Sequence, residues 1–286
     1  MEDRYRKEIE GILEKYKDSP LDVINIKLQE LTYKYNNMGR SDFDGLSPEQ
    51  MRGLLYFNCN ENMIKIKDDK GEDIPIIKQV KYYLNIVREN EGIKLTKAGN
   101  LPPAIVKEVY SKRYLPDMMI ELGLRKITKE TDVMTIELTN ILCQLAGLIK
   151  KKKNTISLIK RGELALKTGN LFSVILSVFV SKFNWPYYDR YEDEKIGQFG
   201  AYFSIYLLSR YGNEKRNAEF YANKYFRAFF KEYIGINTEK HHAYSLRTFD
   251  RFLKYFGFLE EFNENKLTGT ISVKKTELFE KYIEVK

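Results

Sequence analysis

The chain of 286 residues carries 48 Lys+Arg against 40 Asp+Glu, a formal net charge of +8, with 43% hydrophobic and 31% charged residues. This balance excludes a disordered or low-complexity chain, and at about 150 residues per domain the length leaves room for two or more cores. A positive net charge permits a polyanionic partner without requiring one, so where the charges cluster matters more than their sum.

The chain opens with Met1-Glu2-Asp3-Arg4-Tyr5, charged from its second residue and without the apolar core of a signal peptide. The longest uncharged apolar run, Leu171 to Ser181, falls short of the roughly 20 residues a membrane span needs. A cytoplasmic protein with no membrane contact is the expectation. Cys59 and Cys143 have no second Cys or His at ligand spacing and read as reduced and buried.

Tyr5, Ile9, Ile12, Leu13 and Tyr16 recur at helical spacing, Ser19-Pro20 interrupts them, and Leu21, Ile24, Leu28, Leu31 and Tyr35 resume the pattern. Two antiparallel helices are expected. Ser47-Pro48-Glu49-Gln50 is a helix start in which serine and glutamine can satisfy the free backbone N–H groups while proline takes the first helical position. Met63 to Lys67 alternates as a strand does, and Asp68 to Gly71 is a polar turn. Ile76, Ile77, Val80, Tyr83, Leu84 and Val87 then form one apolar helix face, with Lys78, Lys81 and Arg88 off it.

The next stretch recurs. Ile93 to Leu101 and Ile156 to Leu164 both read Ile-x-Leu-x-Lys-x-Gly-x-Leu, and a degraded copy, Ile271 to Phe279, puts Glu277 in the glycine column. Each copy reads as a strand with Ile93 and Leu95 on one face and Lys94 and Thr96 on the other, ended by a glycine free to take positive φ. A helix, a turn and a basic-edged hairpin is the layout of a winged helix. The expected class is therefore mainly α with small β-hairpins (α+β), with tandem winged-helix-like units around an aromatic helical core. The expected segments are an N-terminal helical pair (1–46), a first winged-helix-like unit (47–115), a second (116–170), a central aromatic helical region (171–240) and a C-terminal winged-helix-like unit (241–286).

Leu46 to Met51, Leu95 to Pro102 and Phe183-Asn184-Trp185-Pro186-Tyr187-Tyr188 resemble segments of a poorly characterised bacterial protein group related to a plasmid open reading frame. Some members of that group carry a Cys-rich metal-binding tail; these 286 residues, with two cysteines, hold no Cys-rich stretch. The resemblance covers part of the chain, rests on structural motifs, and implies a bacterial cytosolic origin and a helix-plus-hairpin layout but no activity.

No glycine-rich phosphate loop, His-Glu-x-x-His, Cys-x-x-Cys or nucleophile elbow is present, so the chain does not read as an enzyme and no cofactor is expected. His241 and His242, the only histidines, read as solvated or capping. Asp189, Glu192, Asp193 and Glu194 read as a solvated helix start, with an oxygen-liganded ion as the lesser reading. The 21 tyrosines read as packing. Phosphate contacts to DNA or RNA are expected, if anywhere, at Lys150, Lys151, Lys152 and Lys153 before the second hairpin, at Lys160 and Arg161 at its tip, and at Arg247, Arg251 and Lys254 on a last helix capped by Ser245. Glu137, Thr139, Asn140 and Gln144 on the preceding helix argue against base reading. A protein-interaction or scaffold role without nucleic acid stands as the alternative.

Overall fold

The computed structural model describes residues 2–55, 63–189, 191, 193–234, 238–265 and 270–286. Cys59 and Glu192 lie outside the described residues. The N-terminal pair is formed by α1 (Glu2–Lys15) and α2 (Leu21–Asn37). Their antiparallel pairing brings the Tyr5 and Tyr35 rings to 4.8 Å, and the Tyr35 hydroxyl donates to Glu8 at 2.9 Å. Only Leu31 and Tyr35 of α2 are buried, so the pair stands out from the body of the protein. In α3 (Pro48–Leu55) the expected start is built as read: Gln50 N–H donates to Ser47 Oγ at 3.2 Å and Ser47 N–H to Gln50 Oε1 at 2.9 Å.

Strand β1 (Ile64–Ile66) leads through a turn into α4 (Pro75–Glu89), whose apolar stripe, Ile76 to Val87, is buried in full. There follow β2 (Ile93–Lys94), α5 (Pro103–Ser111), α6 (Met118–Glu121), α7 (Met134–Leu145), β3 (Ile149–Lys152), β4 (Thr155–Leu158) and α8 (Lys160–Thr168). The three strands form one antiparallel sheet in the order β2-β4-β3, with Ile93 opposite Ile156. The two strong copies of the repeat are thus neighbouring strands of a single sheet. Self-pairing suits a repeated alternating segment, because like pattern meets like pattern across the ladder and both isoleucines reach the core face.

The repeat's glycines serve different ends. Gly99 takes φ +81° in a turn, as expected. Gly162 lies in the first turn of α8, where a Cβ would come 2.3 Å from the Leu148 carbonyl oxygen, so closeness rather than backbone freedom requires glycine there.

Helix α9 (Leu171–Ser181) is the most apolar and is followed by α10 (Ala201–Tyr211), β5 (Arg216–Asn217), α11 (Ala218–Phe229) and α12 (Thr238–Ser245). Helix α12 passes directly into a π-helical segment, Leu246–Leu253. Ser245 is therefore mid-helix, with φ −59° and ψ −51° and no capping bond, and not the expected cap. Gly257 closes the element at φ +69°. Strands β6 (Leu259–Asn265) and β7 (Thr270–Lys275) complete a second sheet in the order β5-β7-β6, and β7 is the degraded repeat. After α13 (Glu277–Tyr282), β8 (Ile283–Val285) pairs with β1 and fastens the C-terminal part of the chain to residues 64–66.

The succession helix-strand-helix-helix-strand-strand, with strand order first-third-second, occurs twice: from α4 to β4, with α6 as an added turn, and from α10 to β7. Aromatic packing surrounds the second. Phe179 stacks on Phe252 at 5.5 Å, Trp185 lies 5.0 Å from Phe252, and Tyr225 stacks on Tyr244 at 4.4 Å. Such pairs contribute about 0.5–1.5 kcal/mol each beyond area burial. Tyr83, Tyr221, Tyr225, Tyr244 and Tyr282 are fully buried, so packing accounts for them as expected.

Candidate polyanion-binding surface

Cross-strand partners share a face, so the register of the first sheet sorts its side chains. Ile93, Ile149 and Ile156 face the core. Lys94, Thr155 and Lys152 fall in one row across the sheet, and Lys150 pairs with Ser157 in the next. The outer face consequently displays Lys94, Lys150 and Lys152 among hydroxyls, and all three lysines are exposed. Alternate residues on a strand are about 7 Å apart and β2 lies about 10 Å from β3, so the ammonium groups can meet separate phosphates. None of the three has an ion-pair partner among the described residues.

The hairpin tip is Lys153-Asn154, with φ +46° and +60°, the two-residue turn whose twist suits paired strands. Asn154 braces it: its side-chain amide donates to the Leu95 carbonyl at 2.9 Å. Lys151 points to the other side of the sheet, where its ammonium donates to the Gly99 carbonyl at 3.1 Å. Lys160 and Arg161 are exposed in the first turn of α8, at the far end of β4 from the tip where they were expected.

Arg247, Arg251 and Lys254 are not where a phosphate could reach them as a set. Arg247 is buried with its side chain 0% exposed, and its guanidinium forks onto Asp189 at 2.9 and 3.0 Å while also donating to the carbonyls of Tyr191 and Ile196. Arg251 shares the same carboxylate at 3.1 Å and donates to the Tyr188 carbonyl at 2.9 Å. Lys254 is paired with Glu261. Asp189 is correspondingly 4% exposed, an internal counter-charge rather than part of a solvated helix start. With two guanidinium groups on it, the carboxylate has no face left for a metal ion, and no metal-holding group of His, Cys, Asp or Glu assembles among the described residues.

The helices that precede the two hairpins are covered. On α7, Thr139 and Asn140 are buried in a polar network: Gln79 donates to Thr139 Oγ1 at 2.9 Å, Tyr83 donates to Asn140 Oδ1 at 3.1 Å, and Asn140 donates to Glu130 at 2.8 Å. Glu130 in turn accepts from Leu101 N–H at 2.6 Å. Glu137 faces Tyr188, and burial pushes its carboxyl above the usual range. On the other helix, Thr248, Phe249, Phe252 and Leu253 are all buried. His241 stacks on Phe226 at 4.9 Å, and burial lowers its pKa; His242 is exposed. Cys143 is buried, and burial raises its thiol pKa.

Sequence reasoning left Lys94 out of the candidate set although its outward alternation was read; the missing signal was the pairing of β2 with β4, which lies in no local pattern.

These features define a mainly helical protein with small antiparallel sheets, an aromatic core and an exposed, lysine-bearing face on the β2-β4-β3 sheet. Residues 72–170, from just before α4 to just beyond α8, match a family model described as the Y4jL N-terminal domain. The match includes the Leu95 to Pro102 motif and fits the resemblance drawn above. No curated protein and no solved structure matches the chain. No helix among the described residues is long and apolar enough to cross a membrane.

Proposed function

We propose that the chain is built from two winged-helix-like units, 75–158 and 201–275, and that it touches nucleic-acid phosphates through the outer face of the β2-β4-β3 sheet alone. What supports the unit assignment is the repeated element order with the first-third-second strand order. The observation that carries the functional reading is the outer sheet face, where Lys94, Lys150 and Lys152 stand exposed and without carboxylate partners. Contact of this kind is electrostatic and independent of base sequence, because the third helix of each unit, the element that would read base edges, is turned inward.

A protein-interaction role is favoured by one specific observation, the burial of both third helices against neighbouring elements. The two readings separate on salt. Three phosphate contacts give a slope of about −2.7 in log K against log salt, hence about 40-fold weaker binding between 50 and 200 mM. Anisotropy of labelled duplex DNA, single-stranded DNA and RNA, with Lys94, Lys150 and Lys152 changed to alanine together, tests it. Loss of binding and of slope in the variant supports the phosphate reading; no binding at 50 mM salt removes it and leaves protein interaction.

A further inference from the structure

We infer that the groove between α4 and α8 docks an acidic amphipathic helix of a partner protein. The groove has a volume of about 550 Å³ and is lined by Arg88 from α4 and by Lys160, Glu163, Leu164, Leu166 and Lys167 from α8. Positions 160, 164 and 167 share one helical face, so a leucine sits between two lysines along the groove. Leu164 is 57% exposed, on the outer side of a helix that buries Ala165 and Gly162 on its inner side. Arg88, Lys160 and Lys167 are all exposed and without an ion-pair partner among the described residues.

The mixture decides the partner class. Phosphates gain nothing from Leu164, so this groove is a poor continuation of the lysine-bearing sheet face. An acidic amphipathic helix fits both features: its apolar ridge covers Leu164 while its carboxylates reach Arg88, Lys160 and Lys167. The nine residues of α8 offer a contact about 13 Å long, which matches about two to three turns of a partner helix. The inference is independent of the nucleic-acid reading and uses a different surface.

The probe is a fluorescein-labelled synthetic helix of Glu, Ala and Leu, with leucines at i, i+3, i+4 and i+7, titrated with the full chain at 150 mM salt. Saturable binding is expected, weakened about tenfold by Leu164→Gln and by Lys160→Ala/Lys167→Ala, and unchanged by Lys150→Ala/Lys152→Ala. Leu164 is exposed, so its replacement leaves the fold intact, and an unchanged Tm verifies that. The inference is overturned by the absence of binding, by equal binding of a peptide whose leucines are replaced by alanine, or by duplex DNA displacing the peptide with equal sensitivity to the hairpin lysines. The last outcome would make the groove part of a single polyanion surface.

Discussion

Changing Asp189 to Asn isolates the contribution of the buried charge cluster. Arg247 is completely enclosed, and its fork onto Asp189 supplies the only counter-charge among the contacts it makes; the others are the carbonyls of Tyr191, Asp193 and Ile196. Arg251, 13% exposed, leans on the same carboxylate. Asparagine keeps the volume but replaces one acceptor oxygen by a donor that points at a guanidinium, so two positive charges are left with no neutralising partner. Removing one member of a buried pair costs about 3–5 kcal/mol, which for a chain of this size lowers Tm by on the order of 10 °C. Differential scanning fluorimetry and urea denaturation both read this. The substitution also tests function: freeing Arg247 and Arg251 should leave nucleic-acid affinity unchanged, because they are covered. A Tm within about 1 °C of the parent, or a clear rise in nucleic-acid affinity, would refute the argument.

Other outcomes follow from local geometry. Gly162→Ala drives a methyl group to 2.3 Å from the Leu148 carbonyl and should cost about 1–3 kcal/mol in chemical denaturation, whereas Gly123→Ala, with open space around it and only its φ of +71° against it, should cost less. Ser47→Ala removes half of a capping box and should cost about 1 kcal/mol, measurable by urea titration. Asp250 is pushed up to about 8 by burial and by the neighbouring Glu261 carboxylate. The native state therefore holds a proton that the unfolded chain releases near pH 4, and stability falls as pH rises from there toward 8. Asp250→Asn should flatten that decline and raise Tm more at pH 8 than at pH 5; a parallel pH profile for parent and variant would contradict it. Lys94, Lys150 and Lys152, changed one at a time to alanine, should each reduce the salt slope by about 0.9.

Local chemistry was readable without coordinates. The apolar stripe of α4, the capping box at Ser47, the alternation of Ile93 to Thr96 and the turn at Gly99 depend on residues a few positions apart, and the structure builds them as the spacing implied. The repeat was visible, but its use was not. Whether two similar strands mark two hairpins or lie side by side depends on pairing across more than 60 positions, and only the register of Ile93 with Ile156 decides it.

The same limit explains the basic residues. Composition treats Arg247 and Lys150 alike, yet one fills the core against a carboxylate 58 positions away and the other stands free on a strand. The π-helical stretch could not be anticipated either, since the spacing of Phe249, Phe252 and Phe256 suits an ordinary helix. Sequence alone determined most of the helices, the strand alternation and the capping box at Ser47, but not the helical start at Lys160 or the uncapped Ser245, because propensity and side-chain periodicity act over one or two turns. Tertiary structure alone decided which lysines face solvent and which helices are covered, because burial is set by elements that meet only after the chain has closed on itself.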